Sequence, residues 1–216
     1  MKNNNKIFLG EFIASCFLVM VIVGSGIMAE NLTNDNAIRL LANTIATGAG
    51  LFVLITAFAN ISGAHLNPFV SLSMYLTKRI KGKELLTFIP AQILGCLLGV
   101  MLANVFFEHS IIELSTKNRD GFHIFLSEIV ATFGLIFIIF ATLKDGKTTV
   151  AACVATYISA GYWFTSSTSF ANPAVAIART FTDSFTGINY LNTPTYIFAE
   201  LLGAIVAIYI IKRLIK

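Results

Sequence analysis

Two Asn-Pro pairs are the residues of this sequence whose types and placement predict chemistry. They are Asn67-Pro68 and Asn172-Pro173, and each follows a run of small or polar residues and precedes a short apolar run. An Asn side chain caps a helix by accepting from its first backbone N–H groups, and Pro is tolerated in the first turn because the missing N–H needs no partner there. The pairs therefore predict two helix starts, with helices over 67–77 and 172–182.

Both predicted helices are about three turns long, which is half of a bilayer at ~1.5 Å per residue and a ~30 Å hydrocarbon core. We therefore expect re-entrant half-helices that begin in mid-membrane. Such a start leaves N–H groups unpaired at the positive end of the helix dipole, which is tolerated only beside a polar cavity. Two starts that face each other form a site that attracts oxygen lone pairs and repels cations.

The composition is typical of a protein that crosses a membrane several times. Of 216 residues, 56% are hydrophobic and 12% charged, and the mean hydropathy is +0.79. Six stretches are long enough to span a bilayer, and the two half-helices follow the second and the fifth. The predicted spans are 7–29, 38–60, 84–107, 122–143, 148–166 and 194–215. The first has no cleavage signal, so it is interpreted as a span and not as a removed signal peptide.

The basic residues divide between the two sides of the membrane. Eleven of the fifteen lie in loops on one side, which is therefore expected to be cytoplasmic. They are Lys2, Lys6, Lys78, Arg79, Lys81, Lys83, Lys144, Lys147, Lys212, Arg213 and Lys216; the other four are Arg39, Lys117, Arg119 and Arg179. Both termini are then cytoplasmic, in a cell (plasma or inner) membrane. Topology explains the net charge of +4 better than nucleic acid does, so no nucleic-acid partner is expected.

The two halves of the chain repeat each other in sequence. The glutamate-containing run 10–15 recurs at 127–132, and the run 91–95 recurs at 199–203. Because three spans separate corresponding positions, the second copy is inverted relative to the first. The predicted units are a first repeat at 1–107, an extracellular linker at 108–121 and an inverted second repeat at 122–216.

Nothing in the sequence predicts an enzyme, a cofactor or a metal site. No nucleophile, base and orienting group recur at catalytic spacing, and no cofactor motif is present. Cys16, Cys96 and Cys153 lie in hydrophobic segments without metal-site spacing, so they are interpreted as packing residues.

The repeated glutamate, the stretch Ser62-Gly63-Ala64-His65-Leu66-Asn67-Pro68 and the stretch Asn172-Pro173-Ala174 together resemble the major intrinsic protein family of aquaporins and aquaglyceroporins. The resemblance covers nearly the whole chain. It implies a homotetramer in the lipid bilayer, with one pore in each protomer and passive conduction of water or small uncharged solutes. It also implies that the two Asn side chains donate to the solute at the pore centre, where the dipoles orient its oxygen and interrupt proton hopping.

Two positions depart from the family pattern. Phe69 stands where the family usually has Ala, and its ring either narrows the pore or, in the favoured interpretation, packs sideways into the protein. Val175 stands where the family usually places the arginine of its outer constriction. Without that cation, the chain lacks the strict filter of water-selective members.

The remaining constriction positions follow by counting without gaps from each Asn. They are Thr47, Ala160 and Ser169, and a slip of one residue replaces Ala160 by Ser159 or Gly161. With Val175, this set contains no aromatic, His or Arg residue. It therefore resembles the wide filters of the branch that conducts glycerol and metalloids, including bacterial members associated with arsenic handling.

Arg179 is predicted to share a helical face with Asn172 and Val175, because the three are spaced i, i+3 and i+7. Two interpretations stay open. Arg179 lines the outer mouth of the pore as a displaced cation, or it extends to the lipid headgroups as a snorkelling arginine.

Glu11 and Glu128 lie in apolar runs, where a carboxylate needs a partner or a cavity. In a channel they accept from backbone N–H groups of the re-entrant loops and hold the half-helices in place; in a proton-coupled carrier they form a relay with His65. The channel role is favoured, with His65 as a neutral pore-lining group. For Glu200 and its repeat mate Gln92, the expected partner lies near the subunit contact or in a loop.

The preferred function is a passive channel for glycerol, urea-like molecules and neutral metalloid hydroxides such as arsenous acid, with some water. A water-dominated aquaporin and a proton-coupled secondary carrier are the alternatives. Tyr162 and Trp163 are expected at the outer end of the fifth span, as an interfacial aromatic belt.

Overall fold

The computed structural model describes residues 4–214, so the predicted positions of the two termini, with Lys2 and Lys216, lie outside the described residues. The described residues form eight α-helices. They are α1 (Asn4–Leu32), α2 (Asn36–Phe58), α3 (Pro68–Leu76), α4 (Gly82–Phe106), α5 (Phe122–Thr142), α6 (Lys147–Phe164), α7 (Pro173–Ala178) and α8 (Thr193–Leu214). Single 3-10 turns at Leu143–Asp145 and Arg179–Phe181 follow α5 and α7. The order of long and short helices is the one that the sequence predicts.

Within residues 4–214, five helices are long and apolar enough to cross a membrane: α1, α2, α4, α5 with its 3-10 turn, and α8. Helix α6 occupies the place of the fifth predicted span and has 18 residues, but it is less apolar. Its polar side chains Thr156 and Ser159 donate to backbone carbonyls one turn earlier, at 2.6 Å and 2.8 Å. These hydrogen bonds let hydroxyl groups lie in a membrane helix without unpaired donors.

The long helices pack in the same way in the two repeats, α1 against α4 and α5 against α8. At each crossing a glycine of one helix meets backbone of the other. A Cβ on Gly95 would lie 2.3 Å from the carbonyl oxygen of Phe12, and a Cβ on Gly203 would lie 2.4 Å from that of Ile129. Only glycine permits this approach, because real Cβ contacts are longer. The crossings fix Glu11 and Glu128, which neighbour these contacts, relative to the helices opposite.

Each half-helix begins at its Asn-Pro pair, as predicted. Asn67 and Asn172 are the N-caps, and Pro68 and Pro173 are the first helical residues. Helix α3 runs for nine residues, whereas α7 runs for six before the backbone tightens into the 3-10 turn. The second half-helix is therefore shorter as an α-helix than the predicted 172–182, because Arg179 already belongs to the tighter turn.

Candidate functional site

The loops before the two half-helices adopt an unusual backbone conformation at matching positions. Ala64 and Leu66 have φ of 51° and 52°, and Ser169 and Ala171 have φ of 51° and 48°. Non-glycine residues rarely adopt this left-handed region, so the surrounding contacts must hold it. Because left-handed residues alternate with ordinary ones in each loop, successive peptide groups point to opposite sides. The N–H groups face buried carboxylates, and the carbonyl groups face the opposite loop.

The two Asn side chains link the half-helices across the centre of the molecule. Asn67 Nδ2 donates to the carbonyl oxygen of Ala171 over 2.7 Å, and Asn172 Nδ2 donates to that of Leu66 over 2.7 Å. Each Oδ1 accepts from its own helix, from Phe69 N at 2.8 Å and from Ala174 N at 3.1 Å. Because an amide nitrogen carries two hydrogens, each Asn keeps one donor beyond this reciprocal pair.

Both Asn side chains line a cavity of about 380 Å³ that extends between the two ends of the helix bundle. Pro68 and Pro173 are buried behind them. At the predicted cytoplasmic end the lining residues are Arg79, Ile80, Leu143 and Lys147, and at the other end they are Thr47, Tyr162, Ser169, Phe170, Val175 and Arg179. Aliphatic side chains line most of the length between them. Polar groups are therefore concentrated at the Asn pair and at the two ends of the cavity.

Glu11 is fully buried and is a hydrogen-bond acceptor for the first loop. Its carboxylate accepts from His65 N at 3.1 Å, Leu66 N at 2.8 Å and Ser62 Oγ at 2.6 Å. Gln92 Nε2 donates to the same carboxylate over 2.8 Å. These donors account for the left-handed residues, because the backbone must turn its N–H groups toward one carboxylate.

Glu128 is the counterpart of Glu11 in the second repeat and is also fully buried. It accepts from Phe170 N at 2.9 Å and Ala171 N at 2.8 Å. Glu200 accepts from Asn172 N at 2.9 Å, so its partner is the half-helix cap itself. None of the three glutamates is among the residues lining the cavity.

His65 lines the cavity next to the Asn pair. Its ring stacks on Phe88 with the centroids 4.1 Å apart, and Nδ1 lies 3.0 Å from Ser71 Oγ. Ser71 Oγ in turn accepts from Gln92 Nε2 at 3.0 Å. Stacking on Phe88 and the contact with the Ser71 hydroxyl group therefore hold the ring in place beside the Asn pair.

Three of the four predicted constriction residues line the outer end of the cavity: Thr47, Ser169 and Val175. The prediction for Ala160 is wrong. Ala160 is exposed on the outer surface of α6 and does not line the cavity, and neither do Ser159 and Gly161. The gap-free count fails because the loop between α6 and Asn172 does not keep the helical register.

The residue that α6 contributes to the outer end is Tyr162. Its hydroxyl lies 3.1 Å from Thr47 Oγ1, and only 4% of the residue is exposed. The belt prediction is therefore wrong for Tyr162, whereas Trp163 is 51% exposed on the surface. A sequence signal existed: Val150, Val154, Ile158 and Tyr162 recur at i, i+4 intervals, and all four line the cavity.

Arg179 lies at the outer end of the cavity and is only 2% exposed. Nε donates to the carbonyl oxygen of Thr186, and the guanidinium carbon lies 3.5 Å from the centroid of the Phe170 ring. These contacts use one nitrogen and one face of the guanidinium group, and the residue lines the cavity. The snorkelling interpretation is wrong, because the loop 179–192 folds over the side chain.

The linker packs against this second loop and brings two more cations to the outer face. Arg119 donates to the carbonyl oxygens of Gly187 and Phe185 at 2.8 Å and 3.0 Å, and Lys117 Nζ donates to that of Phe185 at 2.7 Å. Burial, reinforced by the charges of Arg119 and Arg179, lowers the pKa of Lys117 to about 8. Lys117 and Arg119 thus lie against the loop that contains Arg179, together with the carboxylate of Glu30, which accepts from Phe185 N.

Phe69 does not line the cavity. It is half-buried at the start of α3 and packs against the apolar core. Of the two interpretations of this departure from the family pattern, the structure agrees with sideways packing.

Comparison with known proteins agrees with this geometry. The sequence model of the major intrinsic protein family matches residues 1–164. The chain is 45% identical over 208 residues to the aquaglyceroporin AqpS of Rhizobium meliloti (strain 1021), covering 96% of this chain and 89% of that protein. It is 27% identical over 211 residues to aquaporin-4 of Rattus norvegicus, covering 94% of this chain and 65% of that protein.

Among solved structures, the fold is similar to the X-ray structure of the aquaglyceroporin from Plasmodium falciparum. The TM-score is 0.79 at 21% sequence identity, over 99% of this chain and 97% of that chain. The predicted fold class, six transmembrane helices and two re-entrant half-helices in an inverted repeat, is confirmed by this likeness.

Proposed function

The chain belongs to the major intrinsic protein family, and from this premise we propose that it is a passive multi-pass membrane channel that conducts small uncharged solutes and water through its cavity. The observation that carries the proposal is the reciprocal pair of Asn67 and Asn172, both of which line the cavity. Each amide keeps a donor for a solute oxygen at the point where the two helix starts meet. A hydrogen-bonded file of water is reoriented there, which opposes proton hopping.

The solutes that we propose are glycerol, urea-like molecules and neutral metalloid hydroxides such as arsenous acid, with some water. Val175 contributes an aliphatic side chain at the outer end, where Thr47 and Tyr162 supply hydroxyl groups. A wall that combines apolar surface with hydroxyl groups suits a molecule with a carbon or metalloid body and several hydroxyl groups. The 45% identity to a protein named an aquaglyceroporin supports this choice.

A proton-coupled carrier is the less favoured alternative. Such a carrier needs carboxyl groups that exchange protons with the solute pathway. Glu11 and Glu128 have no exposed surface, line no part of the cavity and accept from backbone N–H groups instead. Their contacts support the loop-anchoring role for both residues.

The remaining features follow from the family and from the distribution of charge. We propose a homotetramer with one pore per protomer, in the plasma or inner membrane, with both termini in the cytoplasm. The proposed repeat boundaries are 1–107 and 122–216, joined by the extracellular linker 108–121.

Stopped-flow light scattering on proteoliposomes tests the proposed solute range. Water, glycerol, urea and arsenous acid gradients are compared at equal osmolarity, with protein-free liposomes as the baseline. Glycerol and arsenous acid permeation well above baseline is expected. Water permeation alone would favour the water-dominated aquaporin and contradict the proposed solutes.

We expect Arg179→Gln to raise cation leak through the channel by about tenfold or more, because a buried unit charge beside the pathway raises the energy of a passing cation by a few kcal/mol. The matched control is Arg119→Gln. Arg119 lies 5.3 Å from the same Phe170 ring but is not among the cavity-lining residues. The measurement is Na⁺ and K⁺ conductance in planar bilayers. Equal leak in the two variants would mean that Arg179 acts only on loop structure.

A further inference from the structure

The second repeat places two glutamates in contact where the first repeat has a glutamate and a glutamine. Gln92 on α4 donates to Glu11 over 2.8 Å. Glu200 holds the corresponding position on α8, three residues before the glycine of the helix crossing, as Gln92 does on α4. Glu128 and Glu200 accept from the consecutive backbone N–H groups of Ala171 and Asn172, so their two carboxyl groups lie side by side. A carboxyl group therefore replaces the amide donor of the first repeat.

Three of the four carboxyl oxygens of the pair accept hydrogen bonds from backbone N–H groups. Glu128 accepts from the N–H groups of Phe170 and Ala171, and Oε1 of Glu200 accepts from Asn172 N. Within residues 4–214, Oε2 of Glu200 is buried and has no donor directed at it. In the first repeat, Ser71 follows Asn67 by four residues and is a second partner for Gln92. In the second repeat, the residue that follows Asn172 by four is Ala176, which has no hydroxyl group.

Two ionised carboxylates in this place would repel each other without solvent to screen them, since both residues are 0% exposed. The cations that face Glu128 are Arg179 and Arg119 from the outer loops, and the neutral titratable groups are Tyr157 on α6 and Tyr196 on α8. The arginines already donate to backbone carbonyls and stack on Phe170. A single proton shared by the pair removes the repulsion and supplies the missing donor.

We propose that Glu200 is protonated in the working protein and that its Oε2 hydrogen is donated to Glu128, as the Gln92 amide hydrogen is donated to Glu11. Glu200 is then a positioning residue. Its Oε1 holds the N–H of Asn172, while its proton keeps Glu128 oriented toward the second loop. The protonation state of Glu200 does not depend on the proposed function; only the measurement of glycerol flux rests on it.

Infrared spectroscopy of the protein in a detergent without ester groups tests the protonation state, because lipid ester carbonyls absorb in the same region. At about pH 8 ordinary glutamates, with pKa near 4.3, are ionised, so a protonated carboxyl band from Glu200 stands alone. We expect the wild type to show this C=O stretch and Glu200→Gln to lack it. A wild-type spectrum without the band, or a band that persists unchanged in Glu200→Gln, would overturn the proposal.

Glycerol flux separates a proton donor from an essential carboxylate. Glu200→Gln supplies the same donor and the same acceptor, so flux within about twofold of wild type is expected, whereas Glu200→Leu leaves the Asn172 N–H unpaired and should lose about tenfold or more. A Glu200→Gln protein that fails to fold, or that conducts as poorly as Glu200→Leu, would contradict the proposal. If the wild type shows the band but conducts no solute, the proposed function fails and the protonation state stands.

Discussion

Val175→Arg is expected to reduce glycerol permeability by about tenfold or more while reducing water permeability by less than about threefold. Val175 is 3% exposed and lines the outer end of the cavity, one helical turn before Arg179. A guanidinium group there fills space at the end of the cavity that Thr47 and Tyr162 also line, and it adds donors that hold water in place. Two arginines on adjacent turns also repel each other, which directs the new side chain across the cavity.

The control for this prediction is Val175→Met, which lengthens the side chain without adding charge. Stopped-flow rates for water and glycerol are measured for both variants at matched protein density. Equal glycerol loss in the two variants would assign the effect to bulk alone. Unchanged glycerol permeability in Val175→Arg would show that Val175 does not lie at the narrowest point.

Glu11→Ala is expected to abolish conduction and to destabilise the protein by about 3–5 kcal/mol, because removing one side of a buried charged network leaves its donors unpaired. The donors are the backbone N–H groups of His65 and Leu66 and the side chains of Ser62 and Gln92. Without their acceptor, the left-handed backbone before Asn67 loses the contacts that maintain it. The measurements are thermal unfolding in detergent and solute flux.

The matched control is Glu84→Ala. Glu84 also accepts from a backbone N–H, that of Lys81 at 2.7 Å, but it does so at the exposed start of α4. An exposed cap of this kind contributes about 0.5–2 kcal/mol, so conduction should be retained. Similar stability and flux in the two variants would contradict the loop-anchoring role of Glu11.

The helix order and the two half-helix starts could be predicted from the sequence because their signals are local. A bilayer-length apolar run predicts a span, and an Asn-Pro pair between a small-residue loop and an apolar run predicts a capped start. The capping roles of Asn67 and Asn172 follow from the same motif. Their reciprocal hydrogen bonds with Ala171 and Leu66 depend on left-handed residues that no single-residue propensity predicts.

The predictions that fail, and the alternatives that the sequence leaves open, concern rotation about helix axes and distant partners. Ala160 was chosen by counting back through a loop, whereas the i, i+4 series that ends at Tyr162 gives the correct face of α6. The burial of Arg179 depends on Thr186 and Phe170, which surround it only after the loop folds back. The partner of Glu200, Asn172 N, lies on another element and is brought close by the α7–α8 contact.

The most direct test of the central claim is glycerol movement in proteoliposomes with and without an imposed pH gradient. Through a passive pore, glycerol equilibrates down its own gradient at the same rate in both conditions, and net movement stops when the concentrations are equal. Accumulation of glycerol above the outside concentration, driven by the pH gradient and abolished by a protonophore, would contradict a passive pore through the Asn67–Asn172 centre.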